Sequence, residues 1–150
     1  MIEINSYLRT EGGQFALVED VSDAPADPRY VEGALELTIN GVPILDIGMW
    51  DYIDQLWSYV SDMVSGLREE SEVSTYFPDQ PIKLSFSKQG KGRVLVSASI
   101  NGGSRITSTE MDQLVAELRR SGDSFFGKMM MLLPENADSY SEALHRLKSG

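Results

Sequence analysis

The stretch Val31-Glu-Gly-Ala-Leu-Glu-Leu-Thr-Ile-Asn40-Gly41-Val-Pro-Ile-Leu45, with Trp50 to Leu67 behind it, decides the fold class. Leu35, Leu37 and Ile39 alternate with polar residues, which predicts a strand with one buried face. Asn40-Gly41 is a strong two-residue hairpin signal, because both residues tolerate positive φ. Val42 to Ile47 then pairs back. In the next segment Trp50, Ile53, Leu56, Trp57, Val60, Met63, Val64 and Leu67 recur at three- and four-residue steps. On a helical wheel they fall within roughly 140° of arc, so a helix buries that face, both tryptophans included.

The same reading extends outward. Ile2 to Arg9 is a strand with Ile2, Ile4 and Leu8 on one face and Glu3, Asn5, Tyr7 and Arg9 on the other. Glu11 to Gln14 turns the chain, and Phe15 to Glu19 returns. Asp20 to Arg29, with two prolines and its aspartates, reads as an exposed loop. Glu69 to Gln80 is polar, ends in prolines and reads as a connection. Ile82 to Ser87 and Val94 to Ile100 alternate across a glycine turn at Gln89 to Gly92. After a second turn at Asn101 to Gly103, Arg105 to Thr107 forms a short last strand.

Ser121-Gly-Asp123 looks like a helix break, yet the apolar phase runs through it. Met111, Leu114, Val115, Leu118, Phe125, Phe126, Met129, Leu132 and Leu133 lie within about 120° of one another on one unbroken helix. Gly122 falls inside that arc, where glycine costs ~1 kcal/mol against alanine. Preserved phase predicts one helix from about 110 to 133, with Gly122 admitting a close neighbour. A short final helix, Ser139 to Lys148, presents Tyr140, Leu144 and Leu147. The whole chain, 1–150, reads as one α+β domain. Its mostly antiparallel sheet is covered on one face by two long helices plus a short C-terminal helix, a two-layer sandwich.

Composition narrows the function. The absence of cysteine excludes disulfides, thiolate nucleophiles and zinc–thiolate sites. Met1 to Asn5 has no basic or apolar signal region, and no apolar run approaches a membrane span, so a cytoplasmic protein is expected. Net charge is −10, with −13 in residues 1–80 and +3 in residues 81–150. Such a first half repels phosphate backbones and suits a basic protein partner. The single histidine, His145, sits near the C-terminus, where a surface position is expected. Asp20, Asp23 and Asp27 lack the alternate spacing of a calcium loop, and Gly90-Lys-Gly92 joins strands where a phosphate-binding loop joins a strand to a helix. Neither a metal nor a cofactor is implied, and a non-enzymatic role is expected. A carboxylate-based enzyme is a remaining alternative, since the chain holds 23 acidic residues.

The candidate partner-binding residues are the loop aspartates Asp20, Asp23 and Asp27 and the polar helix face carrying Asp51, Asp54 and Asp62. On that face no lysine or arginine occurs before Arg68, whereas solvated helix faces usually mix both signs. Tyr52 and Tyr59, seven residues apart at its border, would supply contact area. The Val31–Leu45 hairpin followed by the Trp/Tyr/Asp helix resembles small acidic bacterial immunity proteins of polymorphic or contact-dependent toxin systems. That resemblance implies a cytosolic inhibitor that binds one basic toxin domain, such as a nuclease. The alternative is an adaptor or assembly module that binds through the Ser/Thr-rich sheet face or self-associates through an edge strand.

Overall fold

The computed structural model describes residues 1–149. Its strands are antiparallel and divide into two sheets. The first contains β1 (Ile2–Arg9), β2 (Phe15–Leu17), β3 (Glu32–Ile39), β4 (Val42–Leu45) and β5 (Asp51–Tyr52) in the order β2-β1-β3-β4, with β5 pairing the start of β3. After α1 (Ile53–Gly66), the second sheet follows as β6 (Glu72–Tyr76), β7 (Lys83–Gly90), β8 (Arg93–Ile100) and β9 (Gly103–Glu110) in sequential order. Two helices close the chain, α2 (Met111–Leu132) and α3 (Ala137–Lys148). The α+β class and the antiparallel pairing are as the alternation predicts.

Local chemistry explains the strand ends. Asn40 and Gly41 take φ of 50° and 82°, the left-handed values the β3–β4 turn demands. Pro43 in β4 stands opposite Thr38, a pair whose outward N–H would face β9. Proline has no such donor. The two sheets therefore meet by side chains: Asn40 Nδ2 donates to the Ser108 carbonyl at 3.4 Å, and Arg105 Nη1 donates to the Pro43 carbonyl at 3.0 Å and to Asp46 Oδ2 at 2.8 Å.

Four predicted segments need correction. Glu72–Tyr76, read as part of a connection, is an edge strand on β7. β9 is eight residues long where three were expected. β2 ends at Leu17, and Val18–Asp20 is a helical turn. Trp50, Asp51 and Tyr52 precede the helix, because Asp46 caps a turn at Ile47–Met49 and the chain then pairs briefly with β3.

All three helices lie on one side of the sheets. Ile4, Leu8, Leu35, Leu37 and Ile39 from the first sheet and Leu84, Phe86, Val94 and Val96 from the second join one continuous apolar core with α1, α2 and α3. Trp57 is its centre: fully buried, it stacks on Phe125 with centroids 5.9 Å apart, meets the edge of Phe126 at 6.3 Å, and donates from Nε1 to Ser6 Oγ at 3.0 Å. Phe126 in turn meets Tyr140 of α3 at 5.9 Å. Burial of each such ring contributes about 1.5–3 kcal/mol. α2 runs unbroken through Gly122, whose missing side chain makes room for Leu147 of α3 and Trp57 of α1. Among the described residues no helix is long and apolar enough to cross a membrane.

Candidate functional site

The acidic face of α1 is largely an intramolecular contact. α3 lies across it and supplies the partners that the sequence assigned to another protein. Tyr140 Oη donates to Asp54 Oδ2 at 2.8 Å and accepts from Asn136 Nδ2, which also donates to the Pro28 carbonyl at 2.7 Å. Arg146 Nε donates to Asp62 Oδ1 at 2.6 Å, and its Nη2 donates to Ser58 Oγ at 2.9 Å. Burial raises the Asp54 carboxyl pKa, with the Tyr140 and Gln55 hydrogen bonds acting against it. Burial also raises the Tyr140 hydroxyl pKa.

Asp51 is not on this face. It is 4 % exposed, and its carboxylate accepts from the backbone N–H of Tyr52 at 2.7 Å, Asp79 at 3.0 Å and Gln80 at 2.8 Å. It fastens the β6–β7 connection beneath β5 and is unavailable to a partner. Tyr52 and Tyr59 do not share a helix face, since Tyr52 belongs to β5 while Tyr59 stands alone on α1 at 36 % exposure. Trp50, expected in the core, is only half-buried.

A different surface brings functional groups together: the helix-free outer face of the first sheet. The register sets Phe15, Arg9, Glu32 and Tyr52 in one row across β2, β1, β3 and β5, with Tyr7 and Ala34 in the row beside it. The Arg9 guanidinium lies 4.4 Å from the Trp50 ring centroid and pairs with Glu32 at 3.2 Å. Tyr30, at the end of the aspartate-rich loop, packs on Tyr52 with centroids 5.5 Å apart and is itself 54 % exposed. Arg29 reaches over the Tyr30 ring at 5.7 Å while pairing with Asp27 at 3.2 Å.

Carboxylates surround these rings. Glu36 accepts from Asn5 Nδ2 at 2.9 Å and from the Tyr7 hydroxyl at 3.3 Å. The Tyr7 hydroxyl pKa is raised by burial first and then by Glu36. That of Tyr52 is raised by burial first, then by the charges of Asp79 and Glu32. Asp27 is held below the usual carboxylate range by the Arg29 backbone N–H and then by its guanidinium. Asp20 and Asp23 stand exposed on the loop leading to Tyr30. Both arginines of the patch are already paired, so the free charge there is negative. Such a surface suits cations, which gain from carboxylates and from ring faces together.

Strand alternation does place Tyr7, Arg9 and Glu36 outward, but Tyr30, Trp50 and Glu32 carried no sequence signal for this face. His145 is exposed on α3. Among the described residues no three His, Asp or Glu side chains converge as metal ligands would. Comparisons with protein-family models, with curated proteins and with solved structures found no match.

Proposed function

We propose that this chain is a protein-binding domain whose partner is basic. Within that class, the reading we favour is an immunity protein that covers and neutralises a cationic toxin domain, for instance a nuclease. The observation that carries it is the aromatic and acidic outer face of the first sheet. There Tyr30, Tyr52, Trp50 and Tyr7 lie among Glu32, Glu36 and Asp79, with no helix over them. Rings provide contact area at low entropic cost, and carboxylates speed encounter with an oppositely charged surface. The aspartates Asp20 and Asp23 extend the same field, while the charge of Asp27 is met by Arg29.

The test is association with a purified basic toxin domain, sought in the reading frames next to the one that encodes this chain. Binding should slow by about tenfold or more between low and high salt, and Tyr30→Ala with Tyr52→Ala should weaken it by about 2 kcal/mol or more. An association rate indifferent to salt, or full inhibition of the toxin by the double variant, refutes the reading. The adaptor alternative keeps one observation: the outer face of the second sheet is serine-rich, with Tyr76 and Ile106 exposed upon it. Self-association of the pure chain, measured by its mass at several concentrations, would favour that alternative.

A further inference from the structure

The acidic face already holds two cations of its own, and both are arginines. The Arg9 guanidinium stands 4.4 Å from the Trp50 ring centroid while its Nη1 pairs with Glu32 at 3.2 Å. The Arg29 guanidinium stands 5.7 Å from the Tyr30 ring centroid. Its Nε and Nη2 donate to Asp27 Oδ1 and Oδ2 at 3.2 Å and 3.5 Å. Each cation therefore meets a ring and a carboxylate at once. A planar guanidinium can do both, because its face covers the ring while its edge offers parallel N–H donors. A lysine ammonium is a point charge without that edge. The one lysine over a ring, Lys83 on Tyr76 of the second sheet, lies farther out at 5.9 Å.

The two arginines are held very differently. Arg9 rises from β1 between Phe15 and Glu32 of the neighbouring strands, and its side chain is 34 % exposed. Arg29 sits on a loop and its side chain is 79 % exposed. The walls around Arg29 do not depend on its guanidinium. Asp27 Oδ1 accepts the Arg29 backbone N–H at 3.0 Å, and the Asp27 carbonyl accepts the Tyr30 N–H at 3.2 Å. Pro28 is tied to Asn136 at 2.7 Å, and the Tyr30 ring rests on Tyr52 at 5.5 Å. Ring and carboxylate thus keep their places if the Arg29 side chain swings away. An exposed, local ion pair holds weakly, so that movement is easily made.

Resting on the reading of a basic partner, we propose that Tyr30 and Asp27 form a seat for one arginine of that partner, which Arg29 fills in the free chain as an internal stand-in. The incoming guanidinium stacks on Tyr30 and takes the two Asp27 oxygens, and Arg29 turns fully into water. The seat keeps one cation per carboxylate throughout. A docked partner delivers its arginine at high local concentration, which lets it compete with a neighbour in the same loop. A partner lysine could match the charge of Asp27 but not the ring and both oxygens together. The face is therefore selective for arginine and not for positive charge alone.

The experiment titrates the full chain with capped oligo-arginine and oligo-lysine peptides of equal length at one ionic strength, following the Tyr30 ring signals by NMR. The arginine peptide should bind about threefold or more tightly than the lysine peptide and shift those signals. Arg29→Lys keeps the local charge but fills the seat less well, so it should bind the arginine peptide about twofold or more tightly than the parent. Tyr30→Ala, at a position more than half exposed, should keep the fold and bring the two peptides to equal affinity. Equal, salt-sensitive binding of both peptides by the parent overturns the arginine seat and leaves a basic partner standing. Binding of neither peptide overturns both. An Arg29→Lys variant no tighter than the parent, or an arginine preference that survives Tyr30→Ala, also overturns the seat.

Discussion

Two glycines five residues apart in α2 test whether the helix interior is packed as described. Replacing glycine by alanine in a helix ordinarily gains up to ~1 kcal/mol, because alanine loses less conformational entropy. At Gly127 a new methyl meets no atom within 4 Å, so Gly127→Ala should realise that gain. At Gly122 the methyl would stand 3.1 Å from Trp57 Cζ3 and overlap the Leu147 side chain. Both neighbours are fully buried, and Trp57 is fixed by its bond to Ser6 and by Phe125. Overpacking of this kind costs about 1–3 kcal/mol, which exceeds or cancels the helical gain. Gly122→Ala should therefore be neutral or up to ~2 kcal/mol less stable than the parent, and about 1–3 kcal/mol less stable than Gly127→Ala. Urea unfolding followed by tryptophan fluorescence resolves that difference, and melting should separate the two variants by several degrees, at about 2–4 °C per kcal/mol for a chain of this size. Equal stabilisation by both substitutions would refute close packing at Gly122.

Two more substitutions probe buried polar groups. Asp54 has a folded-state pKa raised by burial, so its protonated form favours the fold, and that contribution is lost as pH rises from the unfolded value through the folded one. Asp54→Asn cannot ionise, and its stability relative to the parent should grow as pH rises above the usual carboxylate range; a difference that stays constant through that rise would sink the assignment. Ser6→Ala leaves the Trp57 indole N–H buried without its acceptor, and should cost about 1–3 kcal/mol in urea unfolding. A loss below about 0.5 kcal/mol would mean that the indole finds another partner.

Regular periodicity was legible wherever burial enforced it. The Asn40-Gly41 turn, the β1 and β3 alternation and the unbroken phase of α2 each follow from a core that accepts only one register. β6 was hidden because it is an edge strand with only Val73 and Thr75 turned inward, too little contrast against a polar stretch. Trp50 to Tyr52 fit the helical phase, but a capped turn at Asp46 and pairing with β3 override it. The candidate face was half legible: alternation placed Tyr7 and Arg9 outward. The Tyr30–Tyr52 contact needs the loop to return beside β5, a tertiary event that no local pattern encodes.

The charge asymmetry along the chain takes a second meaning from the fold. Much of what the basic second half does is internal. Arg105 meets Asp46, Arg146 meets Asp62, Tyr140 meets Asp54, and Lys128 meets the Glu19 carbonyl. The ion pairs are partly exposed and contribute about 0–1 kcal/mol each, so their larger effect is to remove local field. Asp46, Asp54 and Asp62 are thereby spent on holding β9 and α3, and Asp51 on its three backbone donors. Among the acids left without an ion pair, Glu69, Glu70 and Glu72 follow α1, while Glu36 and Asp79 lie near the rings and Asp20 and Asp23 in the segment leading to Tyr30. A basic partner guided by long-range attraction would be drawn to that side of the first sheet. The same reasoning makes Asp62→Ala a weak perturbation of binding and Glu36→Ala a strong one, the reverse of the ranking read from helix periodicity.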